Sequence, residues 1–178
     1  MSKEIYPDFQ PTVEVLRELS PQDVEDFARL LPQLTDHSDT DLSVIEDKLS
    51  RAIYADDTEI AVIRNENGRI QATATANICR IPTGEKGWID DVVTDRDYGG
   101  LGYAGLLIVR LHNWFTDMGV DASNLTSNPE RLTAGRLYEK LGYEQRKTRV
   151  YRANLVTPQA VVDNEYGAGY SVDDSSNG

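Results

Sequence analysis

Residues 89–107 read Ile89-Asp90-Asp91-Val92-Val93-Thr94-Asp95-Arg96-Asp97-Tyr98-Gly99-Gly100-Leu101-Gly102-Tyr103-Ala104-Gly105-Leu106-Leu107. The β-branched run from Trp88 to Thr94 predicts a strand. Three glycines, Gly99, Gly100 and Gly102, then predict a tight turn. Ala104, Ile108, Leu111, Phe115 and Met118 follow at helical spacing, so a buried stripe runs along a helix from about Gly100 to Met118, closed by Gly119. The first N–H groups of such a helix lack internal partners, and its macrodipole adds positive potential. Glycines let the backbone approach a bulky anion closely. The turn therefore suits a pyrophosphate without needing a basic side chain. A tight helix start alone would also account for the glycines. No Gly-Lys-Ser/Thr follows, which excludes a Walker A loop. The strand lies mid-chain with no clear βαβ unit around it, which makes a poor dinucleotide fingerprint.

Upstream, Glu14 to Glu18 is compatible with a first strand. Ser20-Pro21-Gln22-Asp23 reads as a helix start, with Ser as N-cap, Pro at the first position and an acid at the third. Val24, Phe27, Leu30 and Leu31 continue it, and Pro32 ends it. Leu42, Ile45, Leu49 and Ile53 predict a second amphipathic helix. Glu59 to Arg64 and Ile70 to Ile81 read as a hairpin around Asn67-Gly68, and Pro82-Thr83-Gly84 breaks the run. Downstream, Ala122 to Thr126 predicts a short strand. Asn128 reads as the N-cap of a helix from Pro129 to Leu141, with Gly142 just past its end. Val150 to Leu155 predicts a last strand. The order implies a mixed α/β sheet with helices on both faces.

Two blocks together carry a family resemblance. Ile89 to Thr94 followed by Asp97 to Ala104 resembles the cofactor motif of the GNAT superfamily of N-acetyltransferases, Gln/Arg-x-x-Gly-x-Gly/Ala. Gly102 and Ala104 match its last two fixed positions, while Gly99 stands where Gln or Arg is usual. Arg96 and Arg110 are the cations that would have to compensate. Leu125 to Arg131 and Leu137-Tyr138-Glu139-Lys140-Leu141-Gly142-Tyr143 resemble the family's following motif, with its Asn and its Leu-Tyr-x-x-x-Gly-Phe/Tyr ending. The resemblance spans roughly Glu14 to Leu155. It implies a mostly antiparallel sheet of about six or seven strands, about four helices on both faces, and a splayed strand pair at the cofactor site.

The same resemblance implies the roles. Acetyl-CoA is the expected cosubstrate, and no metal is expected. Gly99, Gly100, Leu101, Gly102, Tyr103, Ala104 and Gly105 would hold its phosphates. The backbone of Val92 and Val93 would hold its pantetheine arm as an added strand, with Asn128 as a polar contact. The reaction needs a proton taken from the attacking amine and one given to the departing thiolate. Asp90 matches a position where many members carry a glutamate base, and aspartate is one methylene shorter, which favours a bridging water. Asp91 is the second choice, because alternation along a strand points it to the opposite face. Tyr138 matches the general acid. Packing is the alternative for Val92, Val93 and Tyr138, and helix capping for Asn128. Two adjacent acids on a central strand are harder to explain as packing. An edge position or an arginine partner would explain them.

Composition narrows the partners. The chain of 178 residues suits one domain, 1–155, followed by an acidic tail, 156–178, expected to be disordered. The net charge of −12 disfavours nucleic acid and attracts cations, although solubility alone would explain it. One cysteine, Cys79, and two histidines, His37 and His112, make a disulfide impossible within the chain and a structural metal improbable. The polar N-terminus and the lack of a long apolar run predict a cytoplasmic protein with no membrane partner. Asp36, His37, Asp39 and Asp41 form either an acceptor-binding connection or a solvated loop. Trp88 and Tyr103 are core residues by default. The leading expectation is acetylation of a primary amine on a small molecule. The alternatives are a protein lysine or N-terminus, and a non-catalytic acyl-CoA sensor. Relatives of this fold commonly dimerise, which leaves a homodimer open.

Overall fold

The computed structural model describes residues 11–35 and 41–153. Two compact units divide the chain, Met1–Glu144 and Gln145–Gly178. In the second, residues 145–153 carry no regular secondary structure. The strand expected over Val150 to Leu155 is thus absent from Val150 to Ala153, where Val150 and Tyr151 are exposed, and the remainder lies outside the described residues. The acidic tail lies outside them as well.

The first unit runs β1 (Val13–Val15), α1 (Pro21–Leu30), a 3-10 turn (Leu31–Gln33), α2 (Leu42–Ile53), β2 (Thr58–Arg64), β3 (Ile70–Ile81), β4 (Gly84–Thr94), a second 3-10 turn (Arg96–Tyr98), α3 (Tyr103–Asp117), β5 (Ser123–Leu125) and α4 (Leu132–Lys140). Five strands lie in the order β1-β2-β3-β4-β5, antiparallel except for the β4/β5 pair. This is the mixed α/β architecture expected, with five strands among the described residues rather than six or seven. β4, α3 and β5 form a parallel crossover, which corrects the reading that no βαβ unit surrounds the glycine turn. The period-2 signal of β5 is only three residues long, too short to reveal its partner.

Local chemistry explains the elements. The Ser20 capping box is complete: Asp23 N–H donates to Ser20 Oγ at 3.2 Å and Ser20 N–H donates to Asp23 Oδ2 at 3.0 Å. Such a cap stabilises a helix by about 1 kcal/mol. Val24, Phe27 and Leu30 of α1 pack with Ile45 and Leu49 of α2 against Ile60, Val62, Ile70 and Val93 on one sheet face. Tyr103, Leu107, Ile108, Leu111 and Phe115 of α3 cover the other, over Ala61, Ala72, Ala74 and Ala76. The alanine row keeps α3 close to the sheet. Met118 and Ala104 were expected in that stripe. Met118 is exposed and Ala104 half-buried, because Tyr103 and Leu107 take the inward positions. Among the described residues no helix is long and apolar enough to cross a membrane.

Candidate active site

Strands β4 and β5 pair only at Gly87–Ser123, Trp88–Asn124 and Ile89–Leu125. Gly87 N–H donates to the Ala122 carbonyl at 2.9 Å, and Asn124 Nδ2 donates to the Gly87 carbonyl at 3.2 Å. Beyond Ile89 the pairing stops, and a pocket opens between the two strands. Asp90, Asp91 and Val92 of β4 line it, together with Asn128, Tyr138, Leu34 and Arg131.

The sheet itself forces both aspartates into this pocket. Thr73 pairs with Val93 and Thr75 with Asp90, so two steps along β3 face three along β4. The extra residue makes a β-bulge. Asp91 sits in it with φ +50°, the one non-glycine residue among the described residues with positive φ. That conformation costs an L-residue about 1–2 kcal/mol. The bulge also inverts the faces of β4. Ile89 packs on the α3 side and Val93 on the α1/α2 side, although regular alternation would put them together. Asp91 therefore does not point away from Asp90, as alternation predicts. Solvent reaches the Asp91 side chain, yet the surrounding protein partly desolvates it. This desolvation, followed by the charge of Asp90, raises the carboxyl above the ordinary carboxylate value.

Tyr138 is half-buried on α4, where its ring meets that of Tyr143 edge-on with centroids 5.9 Å apart. Burial raises its phenol above the ordinary value, and the charge of Arg131 opposes the rise. The group thus holds its proton at neutral pH. Tyr143 is itself pinned, with Ser123 Oγ and His112 Nε2 each 2.7 Å from its hydroxyl. Asn128 does not cap α4. Its Oδ1 accepts from Glu130 N–H at 2.9 Å, closing a turn, and the helix starts three residues after Pro129 with Arg131 as N-cap. The Asn-Pro pair shapes the approach to the helix rather than its first turn.

The glycine turn follows directly. Gly100 and Gly102 have φ +83° and +81°, and a Cβ built on either meets nothing within 4 Å. α3 starts at Tyr103 with Gly102 as N-cap and no capping side chain. Its first-turn donors are thus left for an outside anion. The residues fit a CoA pyrophosphate: an open backbone cradle at a helix N-terminus, without an acid in the first turn. Gly99 has an ordinary φ of −60° and contributes small size rather than unusual geometry. The Tyr103 ring is buried beside Tyr98, with centroids 6.4 Å apart, so only its backbone belongs to the turn. Leu101 is exposed, and Ala104 and Gly105 are half-buried.

The structure brings Asp90, Asp91, Val92, Asn128 and Tyr138 to one pocket. The Val93 side chain does not line it and lies buried under α1 and α2. Arg110 cannot replace the missing Gln or Arg, because its Nη1 sits 3.0 Å from Glu59 Oε1. Asp41 is the N-cap of α2, accepting from Ser43 N–H at 2.9 Å. Asp36, His37 and Asp39 lie outside the described residues. Cys79 is exposed and free, and Trp88 is exposed on β4. Leu34 and Arg131 are pocket residues that sequence reasoning missed. They are brought together by a hydrogen bond from Arg131 Nη2 to the Leu34 carbonyl, across 97 residues.

The acetyltransferase (GNAT) family model matches residues 22–143. The chain belongs to the GNAT acetyltransferase family. Solved structures agree with it in fold. An acetyltransferase of Trypanosoma brucei is 28% identical over 82% of this chain and 100% of its own, with TM-score 0.64. The glucosamine-6-phosphate N-acetyltransferase of Arabidopsis thaliana is 26% identical over 80% of this chain and 98% of its own, with TM-score 0.67. An aminoglycoside N-acetyltransferase in complex with CoA shares the fold at TM-score 0.66 and 16% identity, over 83% of this chain and 97% of its own. No curated protein matches the chain by sequence. Membership makes the chain an acetyl-CoA-dependent acetyltransferase by family, which accounts for the pairing of a splayed strand edge with a glycine turn.

Proposed function

We propose that this GNAT protein transfers the acetyl group of acetyl-CoA to a primary amine of a small molecule. The observation that carries the reading is that two aspartates and one protonated tyrosine line the same β4/β5 pocket. When bound, acetyl-CoA supplies an activated acetyl thioester. Gly100, Gly102 and the first turn of α3 would hold its phosphates, and the unpaired edge of β4 at Val92 would orient its arm.

The aspartate pair receives the proton of the incoming ammonium, directly or through water. Asp90 carries the position expected of the base. Desolvation and the charge of Asp90 raise the Asp91 carboxyl toward the working pH, a change in the direction that favours a base. Either way, the second carboxylate favours a cationic acceptor. Tyr138 keeps a proton on its phenolic oxygen and can donate it to the leaving sulfur. The small-molecule acceptor is supported by a recessed pocket between two strands and by the named substrates of the sugar-phosphate and aminoglycoside relatives.

The test is CoA release with a panel of amines, run beside thermal shift with acetyl-CoA. Release with small cationic amines is expected. Release only with peptides would move the reading to a protein acceptor. Stabilisation by acetyl-CoA with no release from any amine would make the chain a sensor.

A further inference from the structure

The glycine turn makes no use of a Gln or Arg side chain at Gly99, yet its shape must be held before a ligand arrives. Two side chains from the first helical segment do this. Arg29 Nη1 pairs with Asp95 Oδ2, while its Nη2 donates to the Ile70 carbonyl at 2.6 Å and to Asp26 Oδ1 at 3.2 Å. Asp26 is a fully buried anchor that also accepts from Ile70 N–H at 2.8 Å. The other carboxylate oxygen of Asp95 accepts from Asp97 N–H at 3.0 Å, which starts the 3-10 turn. Gln33 adds a second tie: its Oε1 accepts from Arg96 N–H at 3.0 Å, and its Nε2 donates to the Arg29 carbonyl at 3.3 Å. The segment that enters the glycines is thus tied at Asp95 to Arg29 of α1 and at Arg96 to Gln33 of the following 3-10 turn.

We infer that Arg29 and Gln33 are positioning residues for the phosphate turn, setting its affinity for the CoA pyrophosphate through Asp95 and Arg96 rather than by touching the ligand. The inference rests on the proposed cofactor site. A backbone cradle binds well only when its donors already converge, because ordering it on binding spends binding energy. Gly99 stands where the motif resemblance places Gln or Arg, and glycine offers no side-chain contact there. Here convergence has to come from elsewhere, and the Arg29–Asp95 pair spans 66 residues to supply it.

The test is calorimetric titration of the full chain with CoA, joined to steady-state kinetics. Arg29→Met is expected to weaken CoA about tenfold and raise KM for acetyl-CoA similarly, with kcat within about twofold, because a lost charge-assisted hydrogen bond is worth roughly that much. Arg29→Lys should fall between, and Gln33→Met should weaken CoA as well. Arg69→Met is the control. Arg69 holds the same Asp26, with Nε at 2.8 Å, but does not reach the turn. It should lower Tm and leave CoA affinity unchanged. If Arg29→Met fails to fold, Arg29→Lys and Gln33→Met carry the comparison. Wild-type affinity in the Arg29 and Gln33 variants would overturn the inference, as would an equal loss in Arg69→Met, and the cofactor site would stand in both cases. No CoA binding by wild type would remove the cofactor site and the inference together.

Discussion

Gly102 and Gly119 stand at opposite ends of α3 in nearly the same backbone state, with φ +81° and +75° and nothing within 4 Å of a built Cβ. This makes them a matched pair. Alanine at either position must adopt the left-handed region, at a cost of about 1–2 kcal/mol, with no steric term added. For a domain of this size that corresponds to a fall in Tm of roughly 2–8 °C, the same for both variants. The two should differ only in ligand binding. At Gly102 the new methyl group stands in the open space before the first-turn donors of α3, where a phosphate would come closest. At Gly119 it stands in solvent past the helix end. Gly102→Ala should therefore weaken CoA by about tenfold or more, and Gly102→Val further, while Gly119→Ala leaves affinity unchanged. Thermal unfolding and calorimetry with CoA measure both quantities on the same samples. Equal affinities for Gly102→Ala and Gly119→Ala would refute the assignment of the phosphates to this turn.

Four other outcomes are expected. Tyr138→Phe should lower kcat by about 100-fold with acetyl-CoA affinity within about twofold, since only the proton on its phenolic oxygen is removed; unchanged turnover would remove it as the acid. Asp91→Asn should lower kcat/KM yet raise Tm at pH 7, and a lower Tm would contradict the strain and desolvation argued for the bulge. The folded Asp91 carboxyl lies above its unfolded value, so its stabilising contribution is complete at acid pH and is lost as pH rises through the raised value. Asparagine removes that liability and tolerates positive φ better. In wild type, kcat/KM should fall as the pH drops through the raised Asp91 value, and Asp90→Asn should move that limb to lower pH by removing a like charge; an unmoved limb would show that the two carboxylates do not interact. Gly87→Ala should cost about 1–3 kcal/mol in chemical unfolding, because its Cβ would lie 2.6 Å from the Phe115 ring; a neutral result would mean that α3 sits farther from β4.

The sequence by itself determined the local features. The Ser20 capping box, the glycine turn before α3, the helices and the hairpin strands depend on neighbours a few residues apart, and their patterns are written in those neighbours. The motif residues Asp90, Asn128 and Tyr138 were legible for the same reason, because each belongs to a short block with its own spacing. Only the tertiary structure decided what those blocks do together. The bulge at Asp91 arises from a mismatch between β3 and β4, and it turned a residue expected on the far face into a pocket wall. β5 pairs in parallel beside β4 for three residues only, and the gap that follows forms the site. The Val93 side chain packed on the α1 side, Arg110 was taken by Glu59, Leu34 joined the pocket, and Arg29 reached the approach to the glycine turn, the last two from segments with no motif of their own. Such contacts join residues tens of positions apart, and their energy depends on register and packing, which no local pattern records.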